Sequence, residues 1–253
     1  MKNKQLLLPV LKETAKALKD LKFNPYHDSL GRFGTGGGGA GPKLTPDTGG
    51  GTGGSTAEDK PEAKEVAYEE KLKDWKKSIA GEELNSIREY TGPTYKNIRS
   101  YQNEGKGCNE KITKHMTNLS RALERAPKYE GEVYRGIAFT SKKKLVEFVA
   151  SVQKEGFLTE KGFTSTSTSK SVATKFTKKQ KTNSFEAGLQ QEKSILIKLK
   201  TKTGVDISDV SSYPKEKEVL IKPPSKWKLS RVTSASIPSV VGGKMTVLEM
   251  EEV

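Results

Sequence analysis

Cysteine is nearly missing: Cys108 is the single one in 253 residues, which excludes an internal disulfide and a cysteine-built zinc cage. Histidine is almost as scarce. His27 and His115 are too few and too far apart to suggest a metal site or a serine-histidine hydrolase. No apolar run approaches the ~20 residues that a membrane-spanning helix needs. Lys12 and Glu13 interrupt the apolar patch of the opening "MKNKQLLLPVLKETAKALKD" before a secretory core can form. The expectation is a soluble chain with no metal, no membrane partner and no classical export signal. What is abundant is positive charge, 45 Lys and Arg against 31 Asp and Glu, for a formal net charge of +14. Such a balance attracts phosphates, nucleic acid and acidic surfaces, without deciding among them.

Residues 5–21 place Leu7, Val10, Leu11, Ala15, Leu18 and Leu21 at helical spacing, so residues 1–22 read as an amphipathic helical segment. The run "GRFGTGGGGAGPKLTPDTGGGTGGST" is too rich in glycine for any packed element, and residues 23–60 read as a flexible linker. From residue 61 to 253 the texture is that of one folded domain. Its first half is helical: Val66, Leu72, Trp75 and Ile79 share one side, Leu84, Ile87 and Tyr90 follow, and Gly92-Pro93 breaks the pattern. One more helix begins near Thr94 and another spans 110–125, with Ile112, Met116, Leu119 and Leu123 in register. In the second half "EVYRGIAF", "GFTSTSTS", "SILIKLK", "KEVLIK", "KWKLSRVT" and "KMTVLEM" read as strands, and "KKKLVEFVASVQ" and "KSVATKF" as helices. Helices first and strands second indicate α+β, a helical half packed on a mainly antiparallel sheet.

Three of those strands carry chemistry. In "EVYRGI" alternation sends Arg135 to the face opposite Tyr134, and Gly136 permits close approach of a ligand to the backbone. An arginine there suits phosphate, which guanidinium binds through two parallel hydrogen bonds. In "GFTSTSTS" Ser165 and Ser167 share a face while Thr166 takes the other, helping to hold the strand, although a threonine run alone is often just an edge strand. In "EKEVLI" Glu216 and Glu218 are two positions apart, so a strand would project both from one face. Two such carboxylates repel each other unless a cation lies between them or they do acid/base work; singly, the pair would be read as a solvated strand edge.

The order Arg, then Ser-Thr-Ser, then Glu-x-Glu resembles the Arg-Ser-Glu class of mono-ADP-ribosyltransferases, which includes the enzymatic components of binary toxins and phage-encoded transferases. The segments "REYTGPTYKNIRSY" and "SSYPKEKEVLI" are similar to that family's tyrosine-bearing helix and its substrate-recognition turn. The resemblance covers about residues 62–253 and implies the family's β-sandwich core and NAD as substrate, with no metal. It implies that Arg135 grips an NAD phosphate, that Ser165 orients Glu218, and that Glu218 is the catalytic acid at the nicotinamide-ribose 2′-hydroxyl. By the same resemblance Tyr90, Tyr95, Gly136, Thr166, Ser167, Phe176 and Lys179 line the NAD site, and Tyr213 belongs to the recognition turn. Arg99 stands where relatives often carry asparagine.

The resemblance further implies that Glu216 orients and deprotonates an acceptor guanidinium, so a host-protein arginine is the expected target. A different class of function stays open beside it. The +14 charge also fits a catalytically inactive, basic structural or nucleic-acid-binding protein that keeps the fold. "FNPYHDSLGRF" and the glycine tract after it resemble a segment near the ends of phage head-associated proteins, which implies phage head partners and a place in the virion or host cytoplasm. The alternative is a secreted effector.

Overall fold

The computed structural model describes residues 63–79, 81–92, 94–104, 107, 109–178, 184–237 and 241–253. The amino-terminal helix and linker expected from the sequence, Cys108 and Lys179 lie outside those residues. Four helices come first: α1 (Ala63–Ser78), α2 (Gly81–Thr91), α3 (Tyr95–Glu104) and α4 (Glu110–Arg125). Asn109 caps α4 by accepting a hydrogen bond from the amide of Ile112 at 2.9 Å, as a short polar side chain does at a helix start. Leu72, Trp75 and Ile79 are buried as their spacing predicts, whereas Val66, one turn from the start of α1, is exposed.

The second half runs β1 (Tyr129–Ala138), α5 (Lys142–Glu155), β2 (Phe157–Glu160), β3 (Thr164–Ser167), α6 (Lys170–Lys175), α7 (Ser184–Gln191) and β4 (Ser194–Asp206). A 3-10 turn (Pro214–Glu216), β5 (Glu218–Ile221), β6 (Ser225–Ser236) and β7 (Lys244–Glu252) complete it. The strands pair in the order β1-β3-β5-β4-β7-β6-β2, and β1 also pairs with β4. The circuit β1-β3-β5-β4 therefore closes on itself. Every pairing is antiparallel except β4 with β7, in keeping with the mainly antiparallel α+β architecture expected. Strand β2 and helix α7 are additions to the elements expected from the sequence.

Strand β5 lies between two cores. Leu220 packs with the helices, alongside Ile87, Tyr90, Ile98, Leu119 and Phe163. Val219 and Ile221 pack on the other side with Val133, Ile197 and Trp227. Alternation puts Glu218 on the face of Leu220, toward the helices, and a one-residue slip of register would reverse this. Gly136 serves packing here: a Cβ added to it would meet the carbonyl oxygen of Ala173 in α6 at 2.2 Å. The close approach expected of a ligand at Gly136 is thus made by a helix backbone, because α6 crosses β1 at that point.

Strand β4 pairs with β7 as far as Lys200 and with β5 from Val205. The link between these zones is held by Glu252. Its carboxylate accepts hydrogen bonds from the Thr201 hydroxyl at 2.7 Å, the amides of Lys202 and Thr203 at 2.7 and 2.9 Å, and the Thr203 hydroxyl at 2.6 Å. Burial alone would raise its pKa, but these bonds outweigh burial and hold it below the ordinary value. A depressed folded pKa gives stability that is present above the unfolded pKa and lost as pH falls through the folded one. Glu252→Gln is expected to cost about 1–3 kcal/mol in urea unfolding near neutrality, with the gap from wild type closing at acid pH.

Candidate active site

Strands β1, β3 and β5 are neighbours, and each brings one polar side chain to the same buried place. The register pairs Ser167 with Glu218 and Ser165 with Leu220. Cross-strand partners share a face, so Ser165, Ser167 and Glu218 all lie on the helical side, and Ser165 meets Glu218 on the diagonal. The Ser165 hydroxyl lies near enough to the Glu218 carboxyl to favour its ionised form. From β1, Arg135 donates a hydrogen bond from a terminal guanidinium nitrogen to the Ser165 carbonyl at 2.7 Å. Arg135, Ser165 and Glu218 are 1%, 3% and 2% exposed.

Such burial disfavours the ionised form of Glu218 and pushes its pKa up to about 7; the Ser165 hydroxyl and the charge of Arg135 pull it back. The result is a carboxyl group poised to change charge near neutrality. Beneath it lies Tyr90, fully buried. Its phenol donates to the Phe163 carbonyl at 2.9 Å and its ring meets those of Tyr95 and Phe163 edge-on at 5.1 and 5.5 Å. Burial raises the Tyr90 pKa well above its ordinary value, and the nearby Ser165 hydroxyl acts against that rise. Tyr90 and Tyr95 thus support the site from the core rather than from an open wall.

Other residues expected in the site occupy varied positions. Thr166 faces away from Glu218 and donates to the Val219 carbonyl at 2.7 Å, which ties β3 to β5. The Ser167 hydroxyl donates to the Glu216 carbonyl at 2.6 Å and accepts from the Ser169 amide at 3.0 Å. Both hydroxyls are engaged in holding backbone. Phe176, half-buried, ends α6. Tyr213, also half-buried, opens the 3-10 turn, and its amide donates to the Ser211 hydroxyl at 3.1 Å.

Glu216 corrects the sequence reading. It ends the 3-10 turn and is not in the strand with Glu218, so alternation does not set where it points. Two local features impose this. Pro214 opens the turn, where its fixed φ and missing N–H suit a first turn. Lys217 then adopts a left-handed conformation, φ 48°, which ends the turn before β5 begins. The turn is braced on both sides: the Thr168 amide donates to the Lys217 carbonyl at 3.1 Å, and the Ser212 amide and hydroxyl bond Thr91 Oγ1 at 3.0 Å and the Arg88 carbonyl at 2.9 Å in α2. Glu216 is partly exposed while Glu218 is buried.

Arg99 and Gln102 of α3 were missed as partners of Phe163, the residue just before β3. Arg99 donates to the Phe163 carbonyl at 2.7 Å, and the Gln102 side-chain oxygen accepts from the Phe163 amide at 3.1 Å. The partners are 64 and 61 residues apart, beyond the reach of local spacing.

A raised folded pKa sets the sign of a stability effect. For Glu218 the folded protein binds the proton more tightly than the unfolded chain, so stability falls as pH rises from the ordinary 4.5 toward about 7. Glu218→Gln is therefore expected to melt at a higher temperature than wild type above neutrality, the difference shrinking on acidification. Thermal melts across pH check this; destabilisation at every pH contradicts it.

Comparison with known proteins bears on the same region. Mav of Mycobacterium avium (strain 104), named as an NAD(+)-arginine ADP-ribosyltransferase, is 29% identical over 174 residues; the match covers 69% of this chain and only 18% of Mav. Vis of Vibrio splendidus (strain 12B01), named in the same way, is 24% identical over 187 residues, covering 68% of this chain and 71% of Vis. The crystal structure of the ADP-ribosyltransferase HopU1 of Pseudomonas syringae pv. tomato DC3000 superposes with a TM-score of 0.55 at 20% identity, over 71% of this chain and 80% of that one. A structure of Vis in complex with agmatine gives 0.52 at 24% identity, over 78% and 88%. The model of the ADP-ribosyltransferase exoenzyme family matches residues 68–252, from α1 to the end of β7, and on that match the chain belongs to this family.

Proposed function

We propose that the protein transfers ADP-ribose from NAD to an arginine of an acceptor protein and releases nicotinamide. The observation that carries the reading is the convergence of Arg135, Ser165 and Glu218 from three adjacent strands on one buried point. When the bond between nicotinamide and ribose breaks, its electron pair leaves with the nicotinamide and positive charge develops on the sugar, as in glycoside hydrolysis. A fixed carboxylate stabilises that charge without having to reorganise, an effect typically worth roughly 3–4 kcal/mol. Glu218 supplies it at the ribose 2′-hydroxyl, held by Ser165. Arg135 favours the ionised form of Glu218 and offers positive charge to an NAD phosphate. Phe176 and Lys179 belong to the NAD contacts in this reading, and Tyr213 to acceptor recognition.

The acceptor half rests on Glu216. A guanidinium is protonated at neutral pH and attacks only as it loses a proton. One of its nitrogens bonds to the anomeric carbon and its proton passes to a nearby carboxylate. Glu216 suits this because it lies two residues from Glu218 on a braced turn open to solvent, where a protein surface can reach it. Support for arginine comes from the names of Mav and Vis and from the Vis complex with agmatine, itself a guanidinium compound.

The reading of an inactive, basic binding protein draws less support. On the sheet Lys198 pairs with Glu132 at 2.6 Å and Arg231 with Glu249 at 2.9 Å, so that face carries both signs. Vis is described as a toxin, which favours an effector acting in a host cell over a virion component. The phage-like stretch at residues 23–33 lies outside the described residues.

Incubation with labelled NAD, agmatine and host lysate tests the function: label on agmatine or protein, with nicotinamide release, is expected, and neither appearing defeats the proposal. Glu216→Gln is expected to keep NAD hydrolysis within about threefold while lowering transfer to agmatine at least about a hundredfold. Equal loss of both activities contradicts the division of labour between the two glutamates.

A further inference from the structure

The hydroxyl that holds Glu218 sits on a strand of only four residues, whose own ladder begins at Thr164. Its position depends on what fixes the chain just before it. Phe163 is that anchor, and its backbone is gripped from two helices. Tyr90 of α2 and Arg99 of α3 both donate to its carbonyl, at 2.9 and 2.7 Å, while Gln102 of α3 accepts from its amide at 3.1 Å. One peptide residue thus has both polar groups satisfied by side chains rather than by a neighbouring strand. Its ring is fully buried in the helical core.

The fit around the grip is tight. A Cβ on Gly162 would come within 2.9 Å of the Gln102 side-chain oxygen and 3.0 Å of an Arg99 nitrogen, so glycine there leaves both side chains room to reach Phe163. The other terminal nitrogen of Arg99 lies 3.8 Å from a carboxylate oxygen of Glu160, the last residue of β2. Both side chains of that ion pair are largely buried. Arg99 therefore ties the two ends of the loop 160–163 together and to α3, directing its guanidinium inward at backbone and at Glu160. From Phe163 the chain runs two residues to Ser165.

We propose that Arg99 and Gln102 are positioning residues: they clamp the backbone of Phe163 and so set the Ser165 hydroxyl against Glu218, and Arg99 acts through this clamp rather than by touching NAD. The proposal rests on the NAD-cleaving reading above. It also makes the helical half a part of the active site's alignment, since displacements of well under 1 Å matter to a catalytic contact of this kind.

Four variants of the whole chain test it: Gln102→Met, which removes the acceptor; Gln102→Glu, which keeps an oxygen there; Arg99→Met; and Arg99→Lys. The readouts are kcat and KM for nicotinamide release, and the titration of the Glu218 carboxyl carbon by NMR, which needs no turnover. Gln102→Met and Arg99→Met are expected to lower kcat at least about tenfold with KM for NAD within about twofold. In both, the Glu218 titration moves to higher pH than in wild type, because the Ser165 hydroxyl that lowers it is displaced. Gln102→Glu is expected to recover most of kcat.

A tenfold rise in KM with kcat unchanged in the Arg99 variants overturns the proposal by making Arg99 a substrate contact. A fall in kcat that follows the folded fraction, with the Glu218 titration unmoved, overturns it as mere destabilisation. If Arg99→Met does not fold, the two Gln102 variants decide by the same criteria. A wild-type protein that releases no nicotinamide defeats the functional reading instead, and the NMR titration then judges the clamp by itself.

Discussion

Burying a carboxylate costs free energy unless nearby groups stabilise its charge, and Glu218 is buried with one hydroxyl and one guanidinium for company. That compromise organises the domain. Full compensation, of the kind Glu252 receives from two threonine hydroxyls and two amides, would give a stable and inert anion. Partial compensation leaves Glu218 near its own titration point, with unspent capacity to stabilise positive charge. Two buried glutamates in one fold are thus pushed in opposite directions by the number of donors around them. One fastens a strand and the other is available for chemistry.

The rest of the structure keeps that environment in place. Strand β5 has a core on each face, so the face carrying Glu218 cannot exchange with the other without burying the wrong side chains. Strand β3 is tied to β5 through Thr166 and to the turn through Ser167, and it is held by Arg135 from β1 and by the clamp at Phe163. The hydroxyl-rich run is therefore divided in its work. Ser165 meets the carboxylate, while the two residues after it fasten backbone. A side chain at Gly136 would meet the backbone of α6, and one at Gly162 would crowd the ends of the Gln102 and Arg99 side chains.

Much of this was legible in the sequence, for identifiable reasons. Period-two alternation placed Arg135, Ser165 and Glu218 correctly, because each lies in a strand with regular pairing. The same rule failed at Glu216, where Pro214 and the left-handed Lys217 replace strand by turn. Tyr90 was legible as a helix-core residue, and it is fully buried in the core beside Phe163. The contacts of Arg99, Gln102 and Glu252 had no local signal. Their partners are some 50 to 64 residues distant, and no spacing rule within one element reaches that far.

The account turns on Glu218 acting in its ionised form from a place that resists ionisation. The pH dependence of kcat/KM for nicotinamide release measures this directly, since it reports groups that titrate in the free enzyme. The expected profile rises with pH to a plateau, with its midpoint near the value of about 7 set by burial of Glu218. A profile already flat at neutrality, with its midpoint at the ordinary 4.5 of an exposed carboxyl, would contradict the account.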